Sequence, residues 1–405
     1  MANRAVTPDD TLLKQIFNCL PESISILLHN WDKCVFKATF SYDFGSSYSE
    51  CIVRLEAENE NLNTFPTIAA LQQIAATVVP ELVPQTFQLG KVENLQGRTF
   101  DFSVTEMVEG ELLEDVWQQM SIKEQNSVAA ELVEALEKFH SIRLSDTGVK
   151  ESLQKTFREG DEQLKRFELP HAFGGPHTRF LNDGVGLLGA IMDRRKLKKP
   201  SCYMEPLVDS QGIRIRSTFE ELGSTFINNS DIEKWPEEAV LCHNDLNPRN
   251  LILRSCVTSD GKSEYKLAGI IDWELAGFYP ASYELSLQDT YLGSANRHVS
   301  FYLLLKEKMR ALVPQSSSQI VLVQAMELVF ESQQKLLSDG NNIGAHIRKR
   351  FIENSMLERD NDPCLGGWTR SPQGGPLLEY STAAFQKLED DVVEEMVAKR
   401  KAKAT

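Results

Sequence analysis

Apolar and polar positions alternate along the first hundred residues, and the period changes after that. Ser23–Leu28 is apolar with alternation. Cys34–Tyr42 (CVFKATFSY) alternates more clearly, and Ser49–Leu55 (SECIVRL) repeats the pattern. A period of two puts alternate side chains on one face, which is the signature of half-buried strands. Asp43–Ser47 (DFGSS) reads as the turn between the second and third of them by its Gly, Asp and Ser content. Pro66–Thr77 then carries Ile68, Leu71, Ile74 and Ala75 at helical spacing, and Pro66 suits a helix start. Leu82–Gly90 and Thr99–Val108 read as two more strands. The pattern predicts five strands with one helix inserted after the third.

Glu109–Gly110–Glu111 breaks this pattern, and helical periods take over. Leu112–Met120 and Ser121–Ile142 follow. The second segment has Val128, Leu132, Val133, Leu136 and Phe139 on one face, and Ser121 with Glu124 forms a capping box at its start. Residues 145–240 read as a long, mostly helical stretch with a loop at His171–Pro176. Helices return at Ile320–Leu337 and Thr382–Ala402. The basic end KRKAK complements a helix C-terminus. The change near residue 110 divides the chain into a β-rich unit over 1–109 and a mainly helical unit over 110–405. No internal repeat is present.

Composition narrows the function classes. The chain has 405 residues, 41% apolar and 25% charged, which are globular values. Lys plus Arg is 43 against 58 for Asp plus Glu, a net charge of −15. That opposes general binding to nucleic acid and docking on an anionic membrane. No run of 18 apolar residues predicts a transmembrane helix, and the N-terminus lacks the apolar core of a signal peptide. The seven cysteines (19, 34, 51, 202, 242, 256, 364) are scattered and form no CxxC. They read as reduced, mostly buried thiols of a cytoplasmic protein. Cys and His do not cluster at ligand spacing along the chain, so the spacing predicts no zinc site.

The chemistry concentrates in residues 240–277, VLCHNDLNPRNLILRSCVTSDGKSEYKLAGIIDWELAG. Asp245, Asn250 and Asp272 sit among apolar strands. Asp260–Gly261, in the polar stretch between Leu251–Leu253 and Leu267–Ile271, is a hairpin signal. A hairpin returns its second strand beside its first. Asn250, just before the first strand, therefore comes close to Asp272, just after the second. Two hard oxygen ligands at one hairpin end suit Mg²⁺. Asp245, on the loop entering the hairpin, could face the same site as a base.

His243-Asn244-Asp245-Leu246-Asn247-Pro248-Arg249-Asn250, followed by a hairpin and Ile271-Asp272-Trp273-Glu274, has the layout of a kinase catalytic loop and its metal aspartate. The chain resembles the aminoglycoside phosphotransferase and choline kinase-like family of small-molecule kinases, over roughly residues 20–300, and its larger fungal-type members in length. The resemblance implies an α+β, bilobal protein-kinase-like fold, with a small antiparallel β-sheet lobe and a larger, mainly helical lobe. It implies an enzyme that uses ATP and Mg²⁺ to phosphorylate a hydroxyl of a small metabolite, such as an amino alcohol, a sugar or a specialised metabolite. Asp245 would take or orient the hydroxyl proton, Asn250 and Asp272 would hold the metal, and His243 would buttress the loop. Backbone groups of the hinge Glu106, Met107 and Val108 would meet the adenine edge above a floor of Ile252 and Ile271. Arg54 would contact the α- and β-phosphates. Trp273 and Glu274 would line the substrate side or support the metal residues.

The first unit departs from the family pattern in three places. Arg54 stands where a lysine is usual. The helix starting PTIAALQQ lacks the usual acidic partner, for which Glu56, Glu58 or Glu60 could substitute. The turn His29-Asn30-Trp31-Asp32-Lys33 contains no glycine. These departures motivate a second reading, a pseudokinase acting as a nucleotide-binding or protein-interaction module. A protein kinase fits less well, because IDWE replaces D-F-G and no A-P-E segment follows. No motif in residues 145–235 or 280–405 selects an acceptor, and none bears on oligomeric state.

Overall fold

Short-range pattern explains the first lobe. The computed structural model describes residues 6–41, 49–58, 64–158, 161–194, 197–207, 211–257, 261, 263–360 and 362–404. Five antiparallel strands, β1 (Ser23–His29), β2 (Lys33–Thr39), β3 (Glu50–Ala57), β4 (Thr86–Glu93) and β5 (Thr99–Glu106), form one sheet in the order β1-β2-β3-β5-β4. Helix α2 (Phe65–Ala76) is inserted after β3, as the pattern predicts. The fourth strand starts at Thr86 rather than Leu82. Pro80 and Pro84 carry no amide hydrogen for a ladder, and Leu82 instead closes a turn onto Val79. The turn expected at Asp43–Ser47, together with Glu60 and Asp260, falls outside the described residues.

A helix that the alternation does not reveal, α1 (Asp10–Phe17), covers the outer face of this sheet. Asp9 caps it by accepting the Leu12 amide at 2.8 Å. Leu12, Leu13, Ile16 and Phe17 are buried against Cys34, Phe36, Cys51, Val53 and Leu55. The residues that alternate with these on β2 and β3, among them Val35, Ile52 and Arg54, therefore face the second lobe.

The second lobe is built on the helix Ile122–His140, whose Ser121–Glu124 capping box is present and whose apolar face is buried. Glu131 on this helix accepts the amide of Leu267 at 2.9 Å and so anchors the hairpin Leu251–Val257/Ser263–Ile270. Residues 145–240 are not mostly helical. They include a three-stranded meander, Cys202–Pro206, Gly212–Ser217 and Ser224–Asn228. In the middle strand Ile213 and Ile215 are buried while Arg214 and Arg216 face out, a period-two signal. Part of the expected loop at His171–Pro176 is also a strand, Phe173–Gly175, paired with Gly277–Tyr279. The helices expected at Ile320–Leu337 and Thr382–Ala402 span Ser317–Ser338 and Thr382–Ala404. Among the described residues no helix is long and apolar enough to cross a membrane.

The fold is thus α+β and bilobal, of the protein-kinase kind. The connection between lobes runs close to the hairpin, and two glycines allow it. A Cβ on Gly269 would lie 2.8 Å from a Val108 methyl. Gly110 has φ +148°, and a Cβ there would lie 2.3 Å from the Leu253 carbonyl oxygen, which is backbone and has nowhere to go. Gly110→Ala should therefore lower stability by about 1–3 kcal/mol. Gly148→Ala, with nothing within 4 Å of the added carbon, should be neutral or slightly stabilising. Thermal melts of both variants check this; equal melting points would overturn it.

Candidate active site

Strand register and one loop bring the polar residues together between the lobes. Leu251 pairs with Ile270, and the Ile271 amide donates to the Asn250 carbonyl at 2.9 Å. This closes the hairpin end and sets Asn250 opposite Asp272. Asn250 Nδ2 donates to the Asp245 carbonyl at 2.9 Å and to Asp245 Oδ2 at 2.8 Å. Asn247 Nδ2 donates to Asp245 Oδ1 at 2.8 Å. Both carboxylate oxygens of Asp245 are thereby oriented, and each keeps a further lone pair. With its Nδ2 engaged, Asn250 has Oδ1 left as an acceptor. Asp272 adopts the left-handed conformation at φ +63°, uncommon for a residue other than glycine.

His243 is fully buried beneath this loop. Its Nε2 donates to the Ile271 carbonyl at 3.0 Å, which leaves Nδ1 to accept the Asp245 amide at 3.2 Å. Burial lowers its pKa, against the nearby Asp245 and Glu284 charges, and the bonding pattern is that of the neutral ring. Trp273 is turned into the core. Its Nε1 donates to the Ile270 carbonyl at 2.9 Å, and its ring meets His243 edge-on at 4.8 Å. Of the two roles expected for Trp273, lining the substrate side or supporting the site residues, its burial against His243 accords with the second.

Glu274 points the other way, to the first lobe. Arg54 bonds Glu274 and Glu56 and lies 3.5 Å from Asp272 Oδ1, while Lys33 Nζ lies 3.3 Å from Glu274 Oε2. The Arg54 guanidinium also lies 5.4 Å from the centre of the Phe65 ring at the start of α2. With no acid at the start of α2, Arg54 pairs with Glu274 and Glu56 instead. Glu58 pairs with Lys91 instead. Burial pulls the Arg54 pKa down, but Glu274, Glu56 and Asp272 outweigh it and leave it raised. Burial pushes the Glu274 carboxyl up, and Arg54 and Lys33 more than reverse that. For Asp272, burial and then the Glu274 charge prevail over the two cations, and its carboxyl is pushed up to about 6.

A model of the APH phosphotransferase enzyme family matches residues 45–291. The chain belongs to this family. The match begins before β3 and ends at residue 291, so it takes in the Asp245 loop and the hairpin that follows. No protein of curated function matches the sequence. Solved structures similar to the chain include the APH(2")-IIa complex with streptomycin and ATP, at 14% identity and TM-score 0.40, covering 82% of this chain and 97% of that one. The GDP complex of aminoglycoside 2'-phosphotransferase-IIIa has 12% identity, TM-score 0.40 and coverages of 95% and 97%. A putative aminoglycoside phosphotransferase from Ralstonia eutropha JMP134 has 11% identity, TM-score 0.42 and coverages of 84% and 96%.

In this phosphotransferase-family chain residues 106–108 run from the end of β5 and join it to the second lobe. The Glu106 amide is taken by the Gln85 carbonyl at 2.8 Å, Val108 packs on Gly269, and Met107 lies between. Ile252 is buried and Ile271 half-buried at the hairpin end. Leu28, paired with Val35, is exposed on the cleft-facing side of the sheet, and Trp31 at the tip of the β1–β2 turn is 65% exposed. Three residues of the site were not singled out by sequence. Lys33 ends the glycine-free turn, where no sequence signal marks its contact with Glu274. Tyr291 donates its hydroxyl to the Asn244 carbonyl. Glu284, fully buried on the helix Ala281–Tyr291, accepts the amides of His243 at 2.7 Å and Asn244 at 2.8 Å through Oε1. Its Oε2 meets His140 Nε2 at 3.1 Å. Burial pushes the Glu284 carboxyl up, and these bonds reverse that and leave it lowered.

Proposed function

We propose that this chain transfers the γ-phosphoryl group of ATP to a hydroxyl of a small metabolite. The reading rests on one observation above the others. Asp245 and Asn250 are joined by hydrogen bonds, and Asp272, across the hairpin end from Asn250, is reached by a cation from the opposite lobe. Residues 1–109 would then serve as the nucleotide lobe and 110–405 as the lobe that supplies the loop and the acceptor site.

Asn250 Oδ1 and the Asp272 carboxylate are hard oxygen donors at one hairpin end, and they fit Mg²⁺. When bound, the ion neutralises charge on the phosphates of the nucleotide. Arg54 and Lys33 supply the protein's own positive charge to the same phosphates, moving off Glu274 as the nucleotide enters. Backbone groups of Glu106, Met107 and Val108 hold the adenine edge between Leu28 above and Ile252 and Ile271 below. Asp245 accepts the acceptor hydroxyl and fixes its oxygen in line with the γ-phosphorus. The new oxygen–phosphorus bond forms as the bond to the bridging oxygen breaks, ADP leaves, and the hydroxyl proton passes to Asp245. Such a reaction depends on positioning more than on covalent chemistry, so few residues suffice.

Thermal unfolding with ATP alone, Mg²⁺ alone and both together tests the nucleotide half of this reading. Saturation at about 100 times the dissociation constant adds roughly 2.7 kcal/mol, or a few degrees for a lobe of about 200 residues. The expected shift requires both ligands. A shift indifferent to Mg²⁺, or none, would favour the pseudokinase reading, in which Arg54 stays locked on Glu56 and Glu274.

A further inference from the structure

The helix Ile122–His140, the strand Val240–Cys242 and the helix Ala281–Tyr291 each bring one side chain to a single point beneath the catalytic loop. These are His140, Cys242 and Glu284, whose ligand atoms all lie within 4.8 Å of one another. They are separated by about a hundred and by about forty residues along the chain, so no spacing motif announces them. The set is one imidazole, one thiol and one carboxylate, the donors that suit a borderline-soft divalent ion rather than Mg²⁺.

The hydrogen bonds at this point leave ligand atoms weakly engaged. Glu284 uses Oε1 for the two loop amides, while Oε2 meets only the His140 ring among the bonds described. The other ring nitrogen of His140, Nδ1, is buried with no hydrogen-bond partner, although the side chain is only 9% exposed. An unpaired nitrogen at such a depth is uncommon. The Cys242 thiol has a weak contact with the Tyr279 carbonyl at 3.6 Å. A bound ion would exchange one His–Glu hydrogen bond and this weak contact for three ligand bonds.

We propose that His140, Cys242 and Glu284 form a Zn²⁺ site that regulates the catalytic loop from below. One imidazole nitrogen, the Cys242 sulfur and Glu284 Oε2 ligate the ion, and the thiol proton is released to solvent. Glu284 Oε1 holds the amides of His243 and Asn244, immediately before Asp245. An ion drawing on Oε2 moves that carboxylate and with it the loop. Zinc binding stands apart from the phosphotransfer reading, whereas its regulatory effect, a loss of turnover when zinc displaces the loop, rests on that reading.

The test uses the full chain, stripped with a chelator and dialysed against Zn²⁺ in excess Mg²⁺. One zinc per chain is expected. Co²⁺ in its place should give the intense absorption of a thiolate-bound ion. Cys242→Ser and His140→Gln should each weaken zinc binding by at least about tenfold, while Asp272→Asn should not change it. Stoichiometric zinc with unchanged affinity in Cys242→Ser, a cobalt spectrum without a sulfur band, or no zinc retained would each overturn the site. If Cys242→Ser does not fold, His140→Gln and the cobalt spectrum of the unmodified chain decide the matter. A chain that binds zinc but transfers no phosphate would leave the site standing and remove the phosphotransfer reading instead.

Discussion

Asp245→Asn should lower phosphoryl transfer by about a hundred- to ten-thousandfold and leave the joint ATP–Mg²⁺ melting shift in place. The side chain keeps its shape, but the amide cannot take the hydroxyl proton. One of the two donors now on the carboxylate, Asn247 Nδ2 or Asn250 Nδ2, would face an amide hydrogen instead of an oxygen. That mismatch costs about 1–3 kcal/mol, which is less than the loss of catalysis and reads separately as a lower melting point. Turnover is followed as ADP released with a pool of hydroxyl-bearing metabolites. Retained turnover would remove Asp245 from the mechanism. Loss of both turnover and the ligand-induced shift would make it a structural residue of the loop.

The parts of this site that local chain geometry decides could be read from the sequence. Asp245 and Asn250 are five residues apart on one loop, and the hairpin that follows returns the chain to Asp272 whatever the rest of the fold does. The capping box at Ser121 and the alternation of β2 and β3 are equally local. The helix Ala281–Tyr291 was not legible, because it is buried nearly all round and has no polar face to mark a 3.6-residue period. Glu284 went unseen with it, since an acid takes its meaning from partners forty residues away. The meander over residues 202–228 is a different case. Its Ile213–Ile215 alternation is present, but it is short and lies within a long, mixed, mostly helical-looking stretch. At Arg54 the sequence shows the missing helix acid but not the contact with Glu274, because that contact joins residues 220 apart across two lobes.

Asp272→Asn should abolish metal-dependent nucleotide binding, and turnover with it, without lowering the melting point of the ligand-free protein. Burial and the Glu274 charge push this carboxyl up to about 6, against about 3.9 in an unfolded chain. The folded state therefore holds this proton more tightly than the unfolded state does. For such a group stability falls as pH rises through the window between the two values and stays reduced above it. At pH 7.5 the ionised Asp272 is held at a cost, with an upper bound of about 3 kcal/mol. That bound shrinks because the side chain keeps 31% of its surface exposed to screening solvent. Asn carries no such cost. The variant and the parent should melt together near pH 4, where both carry a neutral side chain. From pH 4 to 6 the variant should gain an advantage of a degree or two. Adding ATP with Mg²⁺ should then reverse the order, because only the parent gains from the ion. A variant less stable than the parent at pH 7.5 without ligands would show that Asp272 serves the fold through Arg54. A full Mg²⁺-dependent shift in the variant would show that the ion is held elsewhere.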